Sequence, residues 1–452
     1  MYVCRFTGTE KTNQYEELIK VFLRSEEYLI SDDPEEVCAH TYGFTGDKDE
    51  LKRQLYRDLE SYTGKSPKWG ILTGIRPVKM TGEMLKAYGS TDEVRKILEK
   101  DYMIHPSKSS LVTEILGYQL EHAGRPEKKS LSVYIGIPFC PTRCLYCSFT
   151  SNQKPYGEIE RYLDALEDEI RFAAEAAARD GFSIESFYIG GGTPTTLDEK
   201  QLSRLLEVIR DSFDLSKNRE FTVEAGRPDT ITSDKLDIMR SYGVDRISIN
   251  PQTMKDETLE IIGRRHTADD VRAAFGMAKS NGMDVINADL IAGLPGEDEN
   301  DFRGSLREVM ELGANNITLH TLAVKRASRL KETDEEYNYR NEEIRERMLS
   351  DAAEILREEG FAPYYLYRQK HTSGNTENTG FCKGNTPSIY NIRIMEEAQS
   401  ILALGAGGIS KIYFPEENRL ERVANVSNYE IYIERLEEMK ERKRQGFFGQ
   451  VR

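Results

Sequence analysis

The sequence predicts an α/β fold whose centre is a partial barrel of six strand-helix units. Short apolar, β-rich runs recur six times between residues 132 and 324, and longer amphipathic segments separate them. In addition, polar residues, glycines and cysteines interrupt the apolar pattern near the ends of these runs. Strands that are buried on both faces and joined by crossover helices form a parallel sheet, and six such units indicate a barrel or partial barrel.

The first 128 residues predict a small α+β accessory domain. MYVCRFTG and EEVCAHTYGF have the composition of strands, while NQYEELIKVFLRS and KDELKRQLYRDLESY have helical periodicity. The stretch KSPKWGILTGIRPVKM is marked by Pro and Gly, and residues 92–124 again have a helical pattern. AGRPEKKS has the composition of a linker, so we place the boundary before residue 129.

Residues 129–340 predict the barrel. Its strands are SVYIGIPF (132–139), ESFYIGGG (185–192), EFTVEAGR (220–227), RISINPQT (246–253), DVINADLIAGLP (284–295) and NITLHTLAV (316–324). The chemistry of such barrels lies at the carboxyl ends of the strands. A cysteine-rich loop follows the first strand and GGGTP follows the second, while Glu224, Gln252 and Asp289 belong to the next three. We therefore expect one site at this end of the barrel.

Residues 341–452 predict a third, α+β region. A long charged helical segment leads into PYYLYRQK, a loop rich in Gly, Asn and Thr, the stretch LALGAGGISK and a final charged helix. We expect this region to pack on the open side of the barrel.

Composition narrows the class of protein. The chain has 452 residues, 38% of them hydrophobic and 31% charged, and a formal net charge of -15. That charge disfavours nucleic acid as a partner. No run of about 18 apolar residues could span a bilayer, and the first residues lack the pattern of a secretory signal. We expect a cytoplasmic protein that does not contact membranes and is a monomer.

Three of the six cysteines are concentrated in IPFCPTRCLYCSF. Cys140, Cys144 and Cys147 have the spacing C-x3-C-x2-C, which in a cytosolic chain indicates metal binding or catalysis. Structural zinc prefers four protein ligands, and no second cysteine pair is nearby. Three thiolates suit a cubane iron-sulfur cluster with one iron open to another ligand. A zinc site or three unrelated thiols is the alternative. The other cysteines, Cys4, Cys38 and Cys382, are expected to be reduced thiols.

The cysteine loop, with the aromatic Tyr146 before its last cysteine, resembles the signature of the radical S-adenosylmethionine (SAM) superfamily. The resemblance implies a 4Fe-4S cluster on Cys140, Cys144 and Cys147, with SAM bound to the open iron. It also implies cleavage of SAM to a 5'-deoxyadenosyl radical that abstracts a hydrogen atom.

The motifs after the other strands also resemble this superfamily. GGGTP is similar to the motif that holds the amino group of SAM, and Glu224 is expected near that ammonium. Gln252 and Asp289 are expected on the ribose, and Arg264 on the SAM carboxylate. The full SAM site that the resemblance implies is Tyr134, Tyr146, Gly191, Gly192, Thr193, Glu224, Gln252, Arg264, Asp289, Ala323 and Ile409.

Six segments between residues 130 and 415, from YIGIPFCPTRCLYCSF to LALGAGGIS, resemble the oxygen-independent coproporphyrinogen III oxidase group in the same order. WGILTGIRPVKM is similar to a longer dehydrogenase variant of it. The group implies oxidative decarboxylation of two propionates of coproporphyrinogen III to vinyls, giving protoporphyrinogen IX in heme biosynthesis. No catalytic residue is implied beyond the cluster and SAM site. A reducing electron donor such as flavodoxin or ferredoxin is expected as a partner.

Two positions depart from that group. Phe149 stands where a fourth cysteine is usual, and Gly136 replaces the usual histidine of the first strand. The C-S-F ending of the loop is similar to the heme-chaperone branch. A heme-binding chaperone without decarboxylase activity, or a radical SAM methyltransferase acting on heme, therefore remains as an alternative.

A tetrapyrrole substrate carries several propionates, so we expect Arg and Lys side chains at the mouth of the site. Lys325, Arg326 and Arg329 follow the sixth strand, and Arg368 and Lys370 lie in YYLYRQK. A solvated charged face is the alternative for each of them.

Histidine and tyrosine residues add weaker candidates. His320 and His266 are candidates for heme ligation or proton transfer, although a lone histidine more often makes structural hydrogen bonds. The tyrosines of PYYLY, Tyr364, Tyr365 and Tyr367, either pack in the core or stack on the macrocycle.

Overall fold

The computed structural model describes residues 1–31, 33, 38–147, 151–322, 342–369 and 376–450. Several predicted residues lie outside these ranges: Phe149, Ala323, Lys325, Arg326, Arg329 and Lys370. In the described ranges no helix is both long and apolar enough to cross a bilayer.

The chain begins with a three-stranded parallel sheet of order β2-β1-β3. Its elements are β1 (Tyr2–Thr7), α1 (Asn13–Phe22), β2 (Tyr28–Ile30), β3 (His40–Gly43) and α2 (Lys48–Thr63). Alternate residues of β1 are buried, as expected for a sheet covered on one face. The two predicted strands and both helices are confirmed, and β2 was missed.

Three helices connect this sheet to the barrel: α3 (Pro77–Tyr88), α4 (Thr91–Lys100) and α5 (Pro106–Tyr118), the last continued by a π-helical turn, Gln119–Ala123. Helix α3 was missed because its start looks like a loop in the sequence. Pro77 occupies its first turn, where the missing N–H costs nothing. The apolar core of these helices includes Leu366 from the large sheet.

All six predicted barrel strands are present. They are β4 (Ser130–Ile137), β5 (Ser183–Gly191), β6 (Glu220–Gly226), β7 (Arg246–Ile249), β8 (Val285–Ala292) and β9 (Asn316–Thr321), and each pairs in parallel with the next. The helices that follow them are α6 (Tyr156–Arg179), α7 (Glu199–Ser212), α8 (Ser233–Ser241), α9 (Asp256–Ile261), α10 (Ala268–Ser280) and α11 (Glu299–Glu311).

The last part of the chain extends this sheet at both edges. Its strands are β10 (Phe361–Arg368), β11 (Glu377–Lys383), β12 (Ser400–Leu404), β13 (Ile409–Phe414) and β14 (Arg419–Ala424). Its helices are α12 (Glu342–Glu358), α13 (Ile389–Glu396), α14 (Tyr429–Glu434) and α15 (Leu436–Gly446). The strand order is β10-β11-β9-β8-β7-β6-β5-β4-β12-β13-β14, so the sheet is open and the predicted partial barrel is confirmed.

A fully buried ion pair attaches the last helix to the barrel. Lys443 of α15 lies 2.8 Å from Glu169 of α6, and neither side chain is exposed. The same carboxylate accepts hydrogen bonds from the Tyr432 hydroxyl (2.7 Å) and from the backbone N–H of Gly405 (2.7 Å). The pair therefore holds the loop after β12 as well as α15.

We predict that Lys443→Met destabilises the protein by about 3–5 kcal/mol, because it leaves a buried carboxylate without its cation. Urea unfolding should measure the loss, with Arg444→Gln, an exposed neighbour on the same helix, as the control. Adding Glu169→Gln to Lys443→Met should recover part of the stability. Equal stability of the Lys443 and Arg444 variants would contradict the prediction.

Candidate functional site

A cavity of about 620 Å³ opens at the carboxyl ends of the barrel strands and continues into the lumen. It is lined by all three loop cysteines and by most of the residues expected at the SAM site: Tyr134, Tyr146, Gly191, Gly192, Thr193, Glu224, Gln252, Arg264 and Asp289. The structure thus brings together residues that are up to about 150 positions apart in the sequence, because parallel strands end at one edge.

The cysteine loop is braced on both sides by backbone hydrogen bonds. The N–H of Cys140 donates to the carbonyl of Asn152 (3.0 Å), and the N–H of Leu145 donates to the carbonyl of Ile262 after α9 (2.9 Å). The three cysteines are free thiols on one wall of the cavity. Among the residues that the structure describes, no three His, Cys, Asp or Glu side chains surround one point closely enough to hold a single metal ion.

The turn after β5 forms a cradle for this loop. Gly192 N–H donates to the Ile137 carbonyl (2.7 Å), and the Thr193 hydroxyl lies 3.6 Å from the Cys140 sulfur. A Cβ atom at Gly192 would lie 2.9 Å from that sulfur and would also overlap the Phe139 carbonyl. Only glycine leaves space here for a group bound to the thiol. Three thiols around an open space fit a cubane cluster with one iron per thiolate.

Tyr146 and Arg264 meet at the rim of the cysteine loop. Arg264 donates to the Tyr146 hydroxyl (3.1 Å) and to the Asn250 carbonyl (2.6 Å). Asn250 Oδ1 and Gln252 Oε1 are buried polar atoms without a hydrogen-bond partner. Buried acceptors rarely stay unpaired, so both indicate a ligand with donor groups at this place. Ribose hydroxyls are donors of that kind.

Gln252 has an unusual backbone. Its φ of 71° lies in the left-handed region, which a non-glycine residue enters at a cost. Its N–H donates to the Asp289 carbonyl (2.9 Å), and its own carbonyl accepts from the N–H of Ile291 (3.0 Å). These two bonds to β8 hold the strained residue beside Asp289.

Glu224 lies deep in the cavity and accepts a hydrogen bond from the Tyr188 hydroxyl. Burial raises the pKa of Glu224 to about 7, and the Asp289 carboxylate adds to the rise, while Tyr188 opposes it. Tyr188 stacks on Tyr390 of α13 at a centroid distance of 4.5 Å, and Tyr134 lies 6.2 Å from the same ring. The carboxyl is therefore bordered by an aromatic wall.

Asp289 differs from Glu224. Burial alone would raise the pKa of Asp289, but His320, Asn287 and Thr318 outweigh it, so the pKa is lowered. Asn287 Nδ2 donates to Asp289 (2.8 Å), and His320 Nε2 lies 3.5 Å from the carboxylate. The site thus holds one carboxylate that stays ionised and one that titrates near neutrality.

The remaining described candidates divide into two groups. His320 and the three tyrosines of PYYLY, Tyr364, Tyr365 and Tyr367, line the cavity, whereas Ile409, His266 and Arg368 do not. Ile409 is 49% exposed at the start of β13. His266 is buried with neither ring nitrogen hydrogen-bonded, and burial lowers its pKa to about 4. Arg368 is buried and donates to the carbonyls of Leu72 (2.7 Å) and Gly74 (3.1 Å) instead of pointing into the cavity. The structure therefore does not bring Arg368 to the mouth of the site.

Several cavity residues were missed in the sequence: Tyr188, Arg246, Asn287 and Tyr390. Tyr188 and Asn287 lie on predicted strands, two residues before Gly190 and Asp289. Strand alternation places them on the same face as those residues and could have identified them. Tyr390 comes from α13, and no local pattern indicates that it reaches the barrel.

Comparison with known proteins decides the family. The pattern of the radical SAM superfamily matches residues 134–309. The oxygen-independent coproporphyrinogen-III oxidase-like protein HemZ of Bacillus subtilis (strain 168) is 42% identical over 392 residues, which are 85% of this chain and 78% of HemZ. This chain belongs to the radical SAM superfamily, in its oxygen-independent coproporphyrinogen III oxidase group.

Two further relatives match less of the chain than HemZ does. The heme chaperone HemW of Bacillus subtilis (strain 168) is 39% identical over 199 residues, 43% of this chain and 51% of HemW. The solved structure of coproporphyrinogen III oxidase HemN from Escherichia coli has a TM-score of 0.55 and 23% identity, over 71% of this chain and 72% of HemN. This likeness supports the fold. Membership in the radical SAM superfamily confirms the predicted cofactors, a 4Fe-4S cluster and SAM.

We predict that Gly192→Ala prevents cluster assembly, because the added methyl group would crowd the Cys140 sulfur and the Phe139 carbonyl. The measurement is iron and sulfide content with the visible absorption spectrum after anaerobic reconstitution. Gly157→Ala on α6, where a Cβ has no neighbour within 4 Å, is the matched control. If the Gly192 variant had the iron content of the wild type, the prediction that the added methyl group prevents cluster assembly would be wrong.

The raised pKa of Glu224 predicts a pH-dependent stability of the cofactor-free protein. Between the unfolded pKa of 4.5 and the folded value of about 7, the folded state binds more protons. Stability should therefore fall as the pH rises through this window, by up to about 3 kcal/mol.

Urea unfolding at several pH values measures this dependence, and Glu224→Gln should remove that share of it. Glu207→Gln, at an exposed position of α7, is the control. If wild-type protein and the Glu224 variant had parallel pH profiles between pH 4.5 and 7, the assignment would be wrong.

Proposed function

We propose that this radical SAM protein is an oxidoreductase that converts propionates of coproporphyrinogen III to vinyl groups without oxygen, giving protoporphyrinogen IX. One observation carries the proposal: the three-thiol loop and the aromatic wall border a cavity that continues into a polar lumen. A polar lumen of this kind can accommodate a propionate side chain of the substrate. The name of the 42% identical HemZ supports the same substrate class.

When bound, the 4Fe-4S cluster and SAM would supply the radical chemistry that removes a hydrogen atom from the β-carbon of a propionate. The residues of this chain hold SAM: Arg264 for its carboxylate, Glu224 for its ammonium, and Gln252 and Asp289 for the ribose. The two carboxylates also offset the positive charge of the sulfonium. We propose these roles from the cavity geometry and the unpaired acceptor of Gln252.

The lumen below the SAM residues is lined by neutral polar groups. Asn287 donates to the Ser248 hydroxyl (3.2 Å), and the Thr318 hydroxyl donates to Asn287 Oδ1 (3.1 Å). Arg246 lies two residues before Ser248 on β7, which is about 7 Å deeper, and is 4% exposed. Arg246 lies 3.9 Å from the Glu220 carboxylate, so a carboxylate that enters this space meets neutral polar groups and then a cation whose charge is shared with Glu220. This order suits a propionate.

The reaction needs two external partners. Each propionate loses one hydrogen atom to the deoxyadenosyl group, its carboxylate leaves as carbon dioxide, and the remaining electron passes to an acceptor. A reduced flavodoxin or ferredoxin would supply the electron that cleaves SAM. We further propose that the protein acts in the cytoplasm as a monomer.

The test is anaerobic incubation of reconstituted protein, its cluster reduced with limiting dithionite, with SAM, coproporphyrinogen III and a soluble cell extract that supplies the electron acceptor. We expect 5'-deoxyadenosine together with monovinyl and divinyl tetrapyrroles, detected by mass spectrometry. Cys144→Ala should lose both products, whereas Cys38→Ala, far from the cavity, should keep them. A cluster-loaded wild-type protein that forms no vinyl product would refute decarboxylation.

A heme chaperone is the second candidate. The 39% identity to HemW and the C-S-F ending of the cysteine loop favour it. Stoichiometric heme binding with transfer to an acceptor protein, and no vinyl product, would support it. The same mass spectra would reveal linear tetrapyrroles from heme if the protein were a ring-opening methyltransferase.

A further inference from the structure

Outside the cavity, four cations surround a single buried carboxylate. Glu397 follows α13, and its carboxylate lies 2.6 Å from Arg76, 3.2 Å from Arg422, and 3.4 Å from both Lys79 and Lys411. We call Arg76, Lys79, Lys411 and Arg422 the four-cation cluster. Two of its members come from the GIRPVKM stretch, which the SAM site does not use.

The cluster carries three more positive charges than negative ones. Lys411 and Arg422 are direct partners on the antiparallel strands β13 and β14, an arrangement of like charges that is destabilising by itself. Other acidic groups nearby are already paired: Glu396 with Arg393 (3.2 Å) and Glu421 with Arg419. The whole chain has a net charge of -15, so this local excess of positive charge is opposite in sign to the charge of the protein as a whole.

Donors of the cluster remain unused. Lys411 is 8% exposed, and its ammonium has only long hydrogen bonds, to Glu397 (3.4 Å) and to the Ile394 carbonyl (3.5 Å). Arg76 Nε is buried without a hydrogen-bond partner. Burial first, and then the neighbouring Arg76, lower the pKa of Lys411 to about 8, although Glu397 opposes the change. One carboxylate therefore faces four cations, and the cluster has the charge and the donors to bind a further anion.

The cluster lies close to the cavity. Ile394 and Met395 of α13 line the cavity, and Glu397 comes three residues after Ile394, about 5 Å along the helix axis. The side chains of Arg422 and Lys79 are 54% and 25% exposed, so the outer side of the cluster is open to solvent.

We propose that the four-cation cluster binds carboxylates of the tetrapyrrole that stay outside the lumen while one propionate reaches into it. This inference rests on the proposed function. Coproporphyrinogen III has four propionates, so the arms that are not reacting need cationic partners at the rim. Arginine and lysine bind carboxylates through charge-assisted hydrogen bonds, and an arginine can do so with two parallel bonds.

The test is a fluorescence titration of the whole protein with coproporphyrin III, a stable tetracarboxylate. The double variant Lys79→Gln/Arg422→Gln removes the two most exposed cations. We expect its dissociation constant to rise about tenfold, which corresponds to about 1.4 kcal/mol. Lys79→Arg/Arg422→Lys should restore binding. Lys86→Gln/Arg419→Gln, on the same helix and strand, makes the same charge change outside the cluster and should bind like the wild type.

Two further ligands sharpen the result. The tetramethyl ester of coproporphyrin III lacks free carboxylates, and we expect the wild type and the double variant to bind it equally. Unchanged affinity of the double variant for coproporphyrin III would overturn the inference, since the cluster would then be only structural. Inorganic phosphate that bound the wild type as tightly as coproporphyrin III, and the double variant less, would also overturn it.

Failure of the proposed function would look different. A wild-type protein that binds coproporphyrin III through the cluster but forms no vinyl product would support the inference and contradict decarboxylation. A protein that forms vinyl products while the double variant keeps the wild-type KM would contradict the inference alone.

Discussion

The parallel pairing of β4 with β5 is the constraint on which the whole site depends. The pairing continues to Ile137 and Gly191, so the cysteine loop and the glycine turn leave the sheet side by side. A 2.7 Å hydrogen bond from Gly192 to Ile137 closes the contact, and the absence of a side chain at Gly192 keeps space around Cys140. The thiols and the residues proposed to bind SAM line one cavity because neighbouring strands end there.

Much of the barrel could be predicted because each strand is short, apolar and followed by a helix with its own pattern. That residues at the strand ends meet in one cavity could be predicted for the same reason. What sequence could not indicate is geometry that arises from tertiary contacts. The left-handed backbone of Gln252 is held by two bonds to β8. Helix α3 was hidden because Pro77 marks a loop as readily as a first helical turn.

Arg368 illustrates how a correct strand can still give a wrong expectation for a side chain. Side chains alternate along β10, so Tyr367 lines the cavity while Leu366 and Arg368 belong to the opposite face. There the Arg368 guanidinium lies 4.8 Å from the Trp69 ring centre. The presence of arginine and lysine in this part of the sequence does not show which face of β10 each side chain occupies. The pairing of β10 with β11, and of β11 with β9, does show it.

The same alternation connects the first part of the chain to the site. Arg368 donates to the carbonyls of Leu72 and Gly74, and its N–H donates to that of Ile75, so β10 fixes the loop that ends at Arg76. Trp69 is anchored in turn by a 3.0 Å hydrogen bond to Glu377 of β11. These contacts hold Arg76 beside α13, which also contributes Tyr390 to the aromatic wall. The helices before the barrel therefore position charge at the edge of the cavity, a task that the barrel strands alone do not perform.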